Sequence, residues 1–337
     1  MDSKGKSLTF VPSLDGLRGV ACLFVLFFHA GFKWAKGGFI GVDIFFVLSG
    51  FLITSILLKE LESKSKIDIK RFFFNRALRL LPVLYVTVFG YLLLVLISAE
   101  NSISRWYATG EAMNCVLFLS NLPWRMPGYN TLFSHSWSLS VEWQFYLIWP
   151  FLLILIYKLP SFFMRIICVC LLMMVFPLLR IYNPSFLPMR MEGLLLGCFM
   201  ALLLRRDPKA LRMTTATSLP ALFCVLLLLY VVHHVHISHP PFHVNGYILV
   251  SLCSFVIIAS LLSEGPSLLK RLFEFPFFCF IGKISYGLYL IHYPIFRMMK
   301  YKFSYETIML VGGGVSILLA TLSYYLMEKP LLSKYKR

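Results

Sequence analysis

The chain has 337 residues, of which 59% are apolar and only 14% are charged. A soluble domain contains about 45–50% apolar and about 25% charged residues, so this composition excludes a cytosolic enzyme, a disordered chain and a disulfide scaffold. The net charge of +17 comes from basic residues in short segments between apolar stretches, which is typical of a polytopic membrane protein and not of a nucleic-acid-binding protein.

Ten apolar segments have the length of bilayer-spanning helices, which need about 20 residues each. They predict an all-α integral membrane protein with about ten transmembrane helices in a single domain, 1–337. The segments lie at about 14–35, 38–58, 80–98, 143–158, 164–182, 187–204, 215–233, 244–263, 276–296 and 306–327. The first segment has no Ala-x-Ala-like cleavage site, so it is expected to be retained. A further apolar piece, 115–122, is too short to span the bilayer and is predicted to belong to a re-entrant or interfacial segment that runs to Trp143.

The loop charges predict the orientation of these helices. If the N-terminus is cytoplasmic, the cytoplasmic stretches hold 21 of the 32 lysines and arginines, and the opposite loops hold seven. Because cytoplasmic loops are enriched in Lys and Arg, both termini are predicted to be cytoplasmic in a multi-pass protein of the cell inner membrane. Arg297, Lys300 and Lys302 are an exception, since they follow the ninth span on the opposite side.

Arg18 and His29 are costly polar residues in the first apolar span. A charge at the centre of such a span costs about 2.5–3.5 kcal/mol on insertion scales, so it needs a reason. The spacing of eleven residues places both side chains within about 20° on one helix face and about 16 Å apart along the axis. Arg18 is therefore expected near the cytoplasmic surface, where it can bind an anion, and His29 deep in the membrane, where an imidazole can move protons. A snorkelling arginine and a histidine that is hydrogen-bonded between helices are the structural alternative.

Asp43 lies at the start of the second span, in a stretch whose glycines allow close helix approach. Its carboxylate can pair with a cation such as Arg18, orient an imidazole, or serve only as a polar contact between helices. The glycines of this stretch are Gly37, Gly38, Gly41 and Gly50.

Arg76 and Arg79 precede the third span and lie three residues apart, on one helical face at the predicted cytoplasmic surface. Two such guanidinium groups can bind a phosphate bidentately. Anchoring of the helix at the cytoplasmic surface is the alternative reason for them.

Glu142 lies at the head of the fourth span, within the polar stretch SHSWSLSVEWQFYLIWP at 134–150. A carboxylate there can hold a histidine tautomer or accept a hydroxyl proton. In the ninth span, Ser285, Tyr289 and His292 follow i, i+4, i+7 spacing and predict a polar stripe. Helix packing is an equally good explanation of that stripe.

One loop contains five histidines, but it has no companion carboxylate or thiolate, and two prolines interrupt any regular spacing. A solvated outer loop is therefore favoured over a zinc or copper site, and no metal is predicted. The eight cysteines include no Cys-x-x-Cys pair and are interpreted as small buried residues. The histidines are His233, His234, His236, His239 and His243.

Taken together, these motifs resemble the acyltransferase-3 family of integral membrane acyltransferases over essentially the whole chain. The resemblance is carried by SLDGLRGVACLFVLFFHAGF with its Arg-x10-His spacing, GGFIGVDIFFVLSGFLIT, RALR, WSLSVEWQFYLIWP, RMEGLLLG, ISYGLYLIHYPIF and SYYLMEKP. It implies a ten-helix membrane fold that transfers an acyl group, usually acetyl, from cytoplasmic acyl-CoA, with acetyl-CoA as the expected donor. The implied acceptor is a hydroxyl of a cell-envelope polysaccharide or its lipid-linked precursor, such as lipopolysaccharide O-antigen, peptidoglycan or exopolysaccharide.

The resemblance also implies roles for individual residues. Arg18 and His29 match the essential pair of the family, and Arg76 and Arg79 match its Arg-x-x-Arg motif. In the resulting hypothesis the three arginines bind acyl-CoA, and His29 acts as a general base or as a transient acyl carrier.

Two further expectations complete this hypothesis. Glu142 or Asp43 is expected to orient the imidazole of His29. Larger relatives append an extracytoplasmic esterase-like domain, whereas this chain stops ten residues after its last span. The chain is thus expected to be the stand-alone form, and the sequence leaves open whether a periplasmic partner protein completes the transfer. A proton-coupled transporter or flippase of an envelope lipid or sugar precursor is the main alternative, because such proteins also carry intramembrane His and Arg.

Overall fold

The structure is a computed structural model, and it describes residues 11–98, 102–122, 132–178, 191–207, 219–236, 246–263, 265 and 267–334. Within these ranges the regular elements are all helical. We number the helices in chain order: α1 Pro12–Ala30, α2 Gly41–Lys64, α3 Ile69–Ser98, α4 Ser102–Val116, α5 Trp137–Tyr157, α6 Phe162–Leu178, α7 Met191–Arg206, α8 Leu219–His234, α9 Tyr247–Leu262, α10 Leu268–Phe273, α11 Pro276–Met299 and α12 Tyr305–Lys334.

Several of these helices can cross a membrane. Among the described residues, five helical segments are long and apolar enough by length and composition, namely Pro12–Ala30, Gly38–Lys64, Ile69–Ile97, Ser134–Tyr157 and Tyr305–Lys334. Shorter apolar helices cover Phe162–Val175, Leu219–His234 and Tyr247–Leu262. The prediction of an all-helical, multi-pass membrane protein is confirmed. Each of the ten predicted spans overlaps a helix, whereas the number of crossings and the side of the termini stay predictions.

Three helix boundaries differ from the predicted spans for identifiable reasons. α1 ends at Ala30 because Gly31 is left-handed, with φ of 97°, and its N–H bonds back to the carbonyls of Phe27 and Phe28. α3 begins at Ile69 and α5 at Trp137, because a helix continues beyond the apolar stretch that identifies it in the sequence. α4 was not predicted, since Ser102–Val116 is too polar to be a candidate span.

Glycines bring the backbones of α1 and α11 into contact, and this is the most extensive helix pair of the described chain. A Cβ atom at Gly19 would overlap the carbonyl of Phe278, and one at Gly282 would overlap the carbonyl of Asp15. Small residues at a helix interface permit this close packing. The relative position of α1 and α11 is therefore set by backbone atoms.

The helices α2 and α7 also pack closely through glycines. A Cβ atom at Gly197 would overlap the carbonyl of Val47, and one at Gly50 would overlap the carbonyl of Leu194. The prediction of close helix approach is confirmed for all four glycines of the second-span motif, since each meets a backbone carbonyl of another segment: Gly37, Gly38, Gly41 and Gly50. α1 packs against both α11 and α2, and α5 closes one side of the space between these three helices.

Candidate active site

A small polar cavity, which we call the arginine cavity, lies between α1, α2, α5 and α11. Its volume is about 60 Å³, and its polar lining includes Arg18, Ser49, Glu142, Ser285 and Tyr286. A space of this size has room for a few water molecules or a small acyl group. The bulk of a coenzyme would have to remain outside it.

A larger cavity, which we call the histidine cavity, lies toward the C-terminal end of α1. Its volume is about 530 Å³, and it is lined by His29, His135, His236, Arg297 and Lys300 together with aromatic side chains. Ligand sites in proteins usually measure about 300–1,000 Å³. The histidine cavity is thus large enough for a sugar-sized ligand.

Tyr289 separates the two cavities, since it and Val42 are the residues that line both. The hydroxyl of Tyr289 donates a hydrogen bond to the carbonyl of His135 at 2.9 Å and lies 2.6 Å from Oγ of Ser138. These contacts fix the tyrosine ring as a partition. His29 and Arg18 therefore face two different spaces on either side of one side chain.

His29 forms a histidine pair with His292 of α11. Nδ1 of His292 lies 3.0 Å from the carbonyl of Leu288, and Nε2 of His292 lies 2.8 Å from Nδ1 of His29. A carbonyl only accepts, so Nδ1 of His292 is the protonated nitrogen, and Nε2 of the neutral ring is an acceptor. His29 must then donate from Nδ1, which leaves the lone pair of its neutral ring on Nε2. Among the described residues Nε2 of His29 has no hydrogen-bond partner, as a general base requires.

His135 adds a third imidazole to this cavity. Its ring stacks on Tyr293 with centroids 4.7 Å apart and lies 5.7 Å from the ring of His292. The residue is 3% exposed. Although the backbone carbonyls of Tyr289 and Leu290 lie beside the ring, neither ring nitrogen forms a hydrogen bond of normal geometry with a described residue. A buried polar group of this kind normally has a partner.

The three predicted arginines are brought together at the other end of α1. Arg18, Arg76 and Arg79 interact electrostatically with one another across α1 and α3. The guanidinium of Arg76 lies 5.8 Å from the ring of Phe72 and 5.9 Å from that of Tyr146, and its buried Nε has no hydrogen-bond partner in the described chain. The salt bridges between described residues involve none of the three arginines. No carboxylate of a described residue is thus paired with their N–H groups.

Carboxylates surround these arginines without pairing directly with them. Asp15, Glu142 and Glu328 all interact electrostatically with the cluster. Glu142 accepts hydrogen bonds from the hydroxyls of Ser49 and Tyr146. The arginine cavity is therefore a mixed-charge site in which hydroxyl groups hold the carboxylate of Glu142.

The structure does not bring the two predicted orienting carboxylates to His29. Glu142 lines the arginine cavity, on the other side of Tyr289. Asp43 is buried on α2 with its backbone carbonyl beside Gly193 of α7, and it lines neither cavity. The prediction that Glu142 or Asp43 orients the imidazole of His29 therefore requires correction, because the hydrogen bond that orients this ring is made with His292.

The histidine-rich loop is only partly described. His236 lines the histidine cavity, whereas His233 and His234 are exposed at the end of α8. His239 and His243 lie outside the described residues. Within the described part of the chain, no group of three His, Cys, Asp or Glu side chains has the arrangement of a metal site.

Sequence reasoning missed the part that His292 and His135 play in this site. The i, i+4, i+7 stripe of α11 was the available signal for His292, because a stripe that faces an intramembrane histidine is more than a packing feature. No local pattern indicated that His135 faces the same cavity, since it reaches the site through a 3₁₀ turn, Ser134–Ser136, before α5.

Comparison with known proteins identifies the family. The family model described as an acyltransferase domain matches residues 11–326. The chain belongs to the acyltransferase-3 family. No solved structure matches it.

Curated members of the family include proteins named as O-acetyltransferases. The chain is 33% identical over 317 residues to peptidoglycan O-acetyltransferase OatA of Listeria monocytogenes, an alignment that covers 87% of this chain and 50% of that protein. It is 32% identical over 364 residues to the putative peptidoglycan O-acetyltransferase YrhL of Bacillus subtilis, covering 96% of this chain and 55% of that protein. It is also 32% identical over 368 residues to the putative O-acetyltransferase SACOL0978 of Staphylococcus aureus, covering 97% and 58%. The chain spans about half the length of these relatives.

Proposed function

We propose that this protein is a membrane O-acetyltransferase that moves an acetyl group from cytoplasmic acetyl-CoA to a hydroxyl of a cell-envelope glycan. The observation that carries the proposal is the histidine pair, which leaves Nε2 of His29 as a free base beside a 530 Å³ cavity. Membership of the acyltransferase-3 family and the names of the relatives support the reaction class.

In the proposed reaction, Nε2 of His29 accepts the proton of the glycan hydroxyl while the oxygen attacks the thioester carbonyl. The tetrahedral intermediate then collapses, the carbon–sulfur bond breaks, and an ester forms. The leaving thiolate of CoA takes the proton from the His29 imidazolium. Transfer through an acyl group carried on His29 would need two steps, and the single-step route requires only the proton transfer that this geometry supports.

The donor is assigned to the arginine end of α1. Arg18, Arg76 and Arg79 can bind the phosphates of acyl-CoA there, because guanidinium groups match phosphate oxygens bidentately. The acyl end would enter the arginine cavity and, once the Tyr289 ring turns aside, would reach His29, about 16 Å from Arg18 along the α1 axis. The acceptor would enter the histidine cavity from the opposite side.

The proposal includes the membrane arrangement of ten crossings with both termini in the cytoplasm, in the inner membrane. It places the arginine end of α1 on the cytoplasmic side and the histidine cavity on the opposite side. Reporter fusions at Lys66 and at Lys302 test it. The fusion at Lys66 should report the cytoplasm and the one at Lys302 the opposite side. The same signal from both positions would contradict the arrangement.

Peptidoglycan is the acceptor to assay first, because the names of two relatives refer to it. Lipopolysaccharide O-antigen, the acceptor placed first by sequence reasoning, is the second. Mass spectrometry of both polymers from cells with and without the protein would show which one gains acetyl mass.

Turnover by purified protein tests the reaction itself. The assay is release of the CoA thiol from acetyl-CoA in the presence of glycan, with wild type, His29→Gln and His29→Ala. Loss of the general base should lower the rate about a hundredfold or more, while binding of acetyl-CoA persists. His234→Gln, which alters an exposed histidine outside both cavities, is the matched control and should remain active.

Three results would change this assignment. A folded His29→Gln protein with nearly wild-type transfer would make His29 a packing residue. A wild-type protein that releases no CoA with any glycan would favour the alternative hypothesis of a transporter or flippase. Recovery of acetyl on His29 from donor-only incubations would replace the base mechanism with the carrier mechanism.

A further inference from the structure

The structure explains the basic residues after α11, which the positive-inside rule does not explain. Arg297 lies in the last turn of α11, and Lys300 follows the helix directly. Both side chains line the histidine cavity, whereas Lys302, two residues further on, does not. Two of the three residues that violate the charge rule thus belong to the wall of the cavity that contains His29.

The charged side chains among the described residues of this cavity are all cationic. Its described residues include the permanent cations Arg297 and Lys300 and the imidazoles of His29, His135 and His236. No carboxylate is among the described residues that line it. A cavity with charge of one sign and apolar walls attracts a ligand of the opposite charge.

His135 is a second, independent observation that favours a polar ligand in this cavity. The side chain is 3% exposed and lines the cavity, and both of its ring nitrogens lack a hydrogen-bond partner among the described residues. An unsatisfied buried group destabilises the unliganded protein. A ligand with hydroxyl or amide groups, such as a sugar, would satisfy it.

The helix geometry sets the length of the ligand. Arg297 is five residues and Lys300 eight residues after His292, which corresponds to about 7.5 and 12 Å along the α11 axis. These distances are of the order of one or two sugar rings. A glycan whose hydroxyl lies at His29 would therefore bring a neighbouring substituent to the two cations.

We propose that the histidine cavity recognises an anionic glycan, whose carboxylate or phosphate binds Arg297 and Lys300 while His135 hydrogen-bonds to the sugar that presents its hydroxyl to His29. This rests on the proposed function, since it names the class of acceptor for the same site. It also accounts for the basic residues on the side of the membrane where they are not expected.

A matched set of acceptors tests the proposal with the purified full-length chain. The first probe is a peptidoglycan disaccharide that keeps its lactyl carboxylate, and the second is the same disaccharide with that carboxylate converted to an amide. A third probe joins the amide disaccharide to a short isoprenoid through a diphosphate, so that the carboxylate and phosphate sources are separated. Acetyl-CoA turnover and direct binding of each probe are both measured.

The variants are Arg297→Gln, Lys300→Gln and the control Lys302→Gln, which removes the same charge in the same segment but outside the cavity. The first two should raise the KM or Kd of the anionic probes about tenfold, because a charge-assisted contact is lost. They should leave the amide probe and the KM for acetyl-CoA unchanged. Lys302→Gln should behave as wild type.

Several outcomes would overturn the inference. Equal binding of all three probes by wild type would remove the anion from acceptor recognition. A rise in the KM for acetyl-CoA would make the cavity part of the donor site, and an equal effect of Lys302→Gln would reduce the cluster to contact with lipid headgroups. Selective binding of an anionic probe without acetyl transfer would refute the proposed function and leave this inference standing.

Discussion

The histidine pair leads to a prediction that depends on the reach of one side chain. In His292→Gln, an amide oxygen can take nearly the place of Nε2 and accept from Nδ1 of His29. In His292→Asn, the amide is chemically the same but too short, since it corresponds to the position of Nδ1. The two variants therefore differ in whether His29 keeps its hydrogen bond and its tautomer.

The magnitude follows from that single hydrogen bond. A buried donor that loses its partner costs about 1–3 kcal/mol, and each 1.4 kcal/mol corresponds to about tenfold in rate. We expect kcat of His292→Asn to fall about 5- to 150-fold, because His29 turns or adopts the tautomer that protonates Nε2. His292→Gln should stay within a few-fold of wild type. The KM for acetyl-CoA should be unchanged in both, because Arg18, at the proposed donor end, lies about 16 Å from His29 along α1.

The assay is steady-state release of CoA thiol by purified variants whose thermal unfolding has been checked, together with a double-mutant cycle. In His29→Gln the base is already absent, so a further His292→Asn change should cost little, whereas independent residues would give additive losses. Equal activity of the Asn and Gln variants, or full additivity with His29→Gln, would refute the argument that His292 acts by orienting His29.

Three further predictions concern the donor site, the partition and the helix contact. Arg76→Lys and Arg79→Lys should each raise the KM for acetyl-CoA several-fold at unchanged kcat, since lysine keeps the charge but lacks the planar fork. Unchanged KM values would show that both residues only anchor the helix at the membrane surface. Tyr289→Ala should join the two cavities and increase acetyl-CoA hydrolysis in the absence of acceptor, measured as glycan-independent thiol release; a rate equal to that of wild type would show that the ring is no barrier. Gly282→Ala places a Cβ atom on the carbonyl of Asp15. It should lower both thermal stability and transfer activity, because overpacking typically costs about 1–3 kcal/mol. A Tm and activity equal to those of wild type would contradict the close contact.

The sequence predicted the parts of this protein that depend on local pattern. The apolar segments identified the helices, the motif glycines identified close helix contacts, and the Arg18–His29 spacing placed both residues on one helix. These features depend on residue spacing along a single segment, which the sequence states directly.

The orienting partner of His29 could not be predicted, because it depends on which helices become neighbours. Asp43 and Glu142 are suitable orienting groups by chemistry, but the side of α2 or α5 that carries them does not face His29. His292 does, because α11 packs along α1. A single sequence contains no direct record of that pairing, so the partner of His29 could not be chosen among several polar residues.

The glycine contact between α1 and α11 has a mechanical consequence for the size of the substrate. At Gly19 and Gly282 the two backbones touch, yet two imidazole rings fit between the same helices at the level of His29 and His292. The spacing of the two helices is therefore set by backbone contact at the arginine end and by side chains at the level of His29. A larger residue at Gly19 or Gly282 would push the two helices apart. That shift would also change the space beside His29 without replacing any residue of the cavity wall. A relative that accepts a bulkier glycan could reach that specificity by a substitution remote from its acceptor.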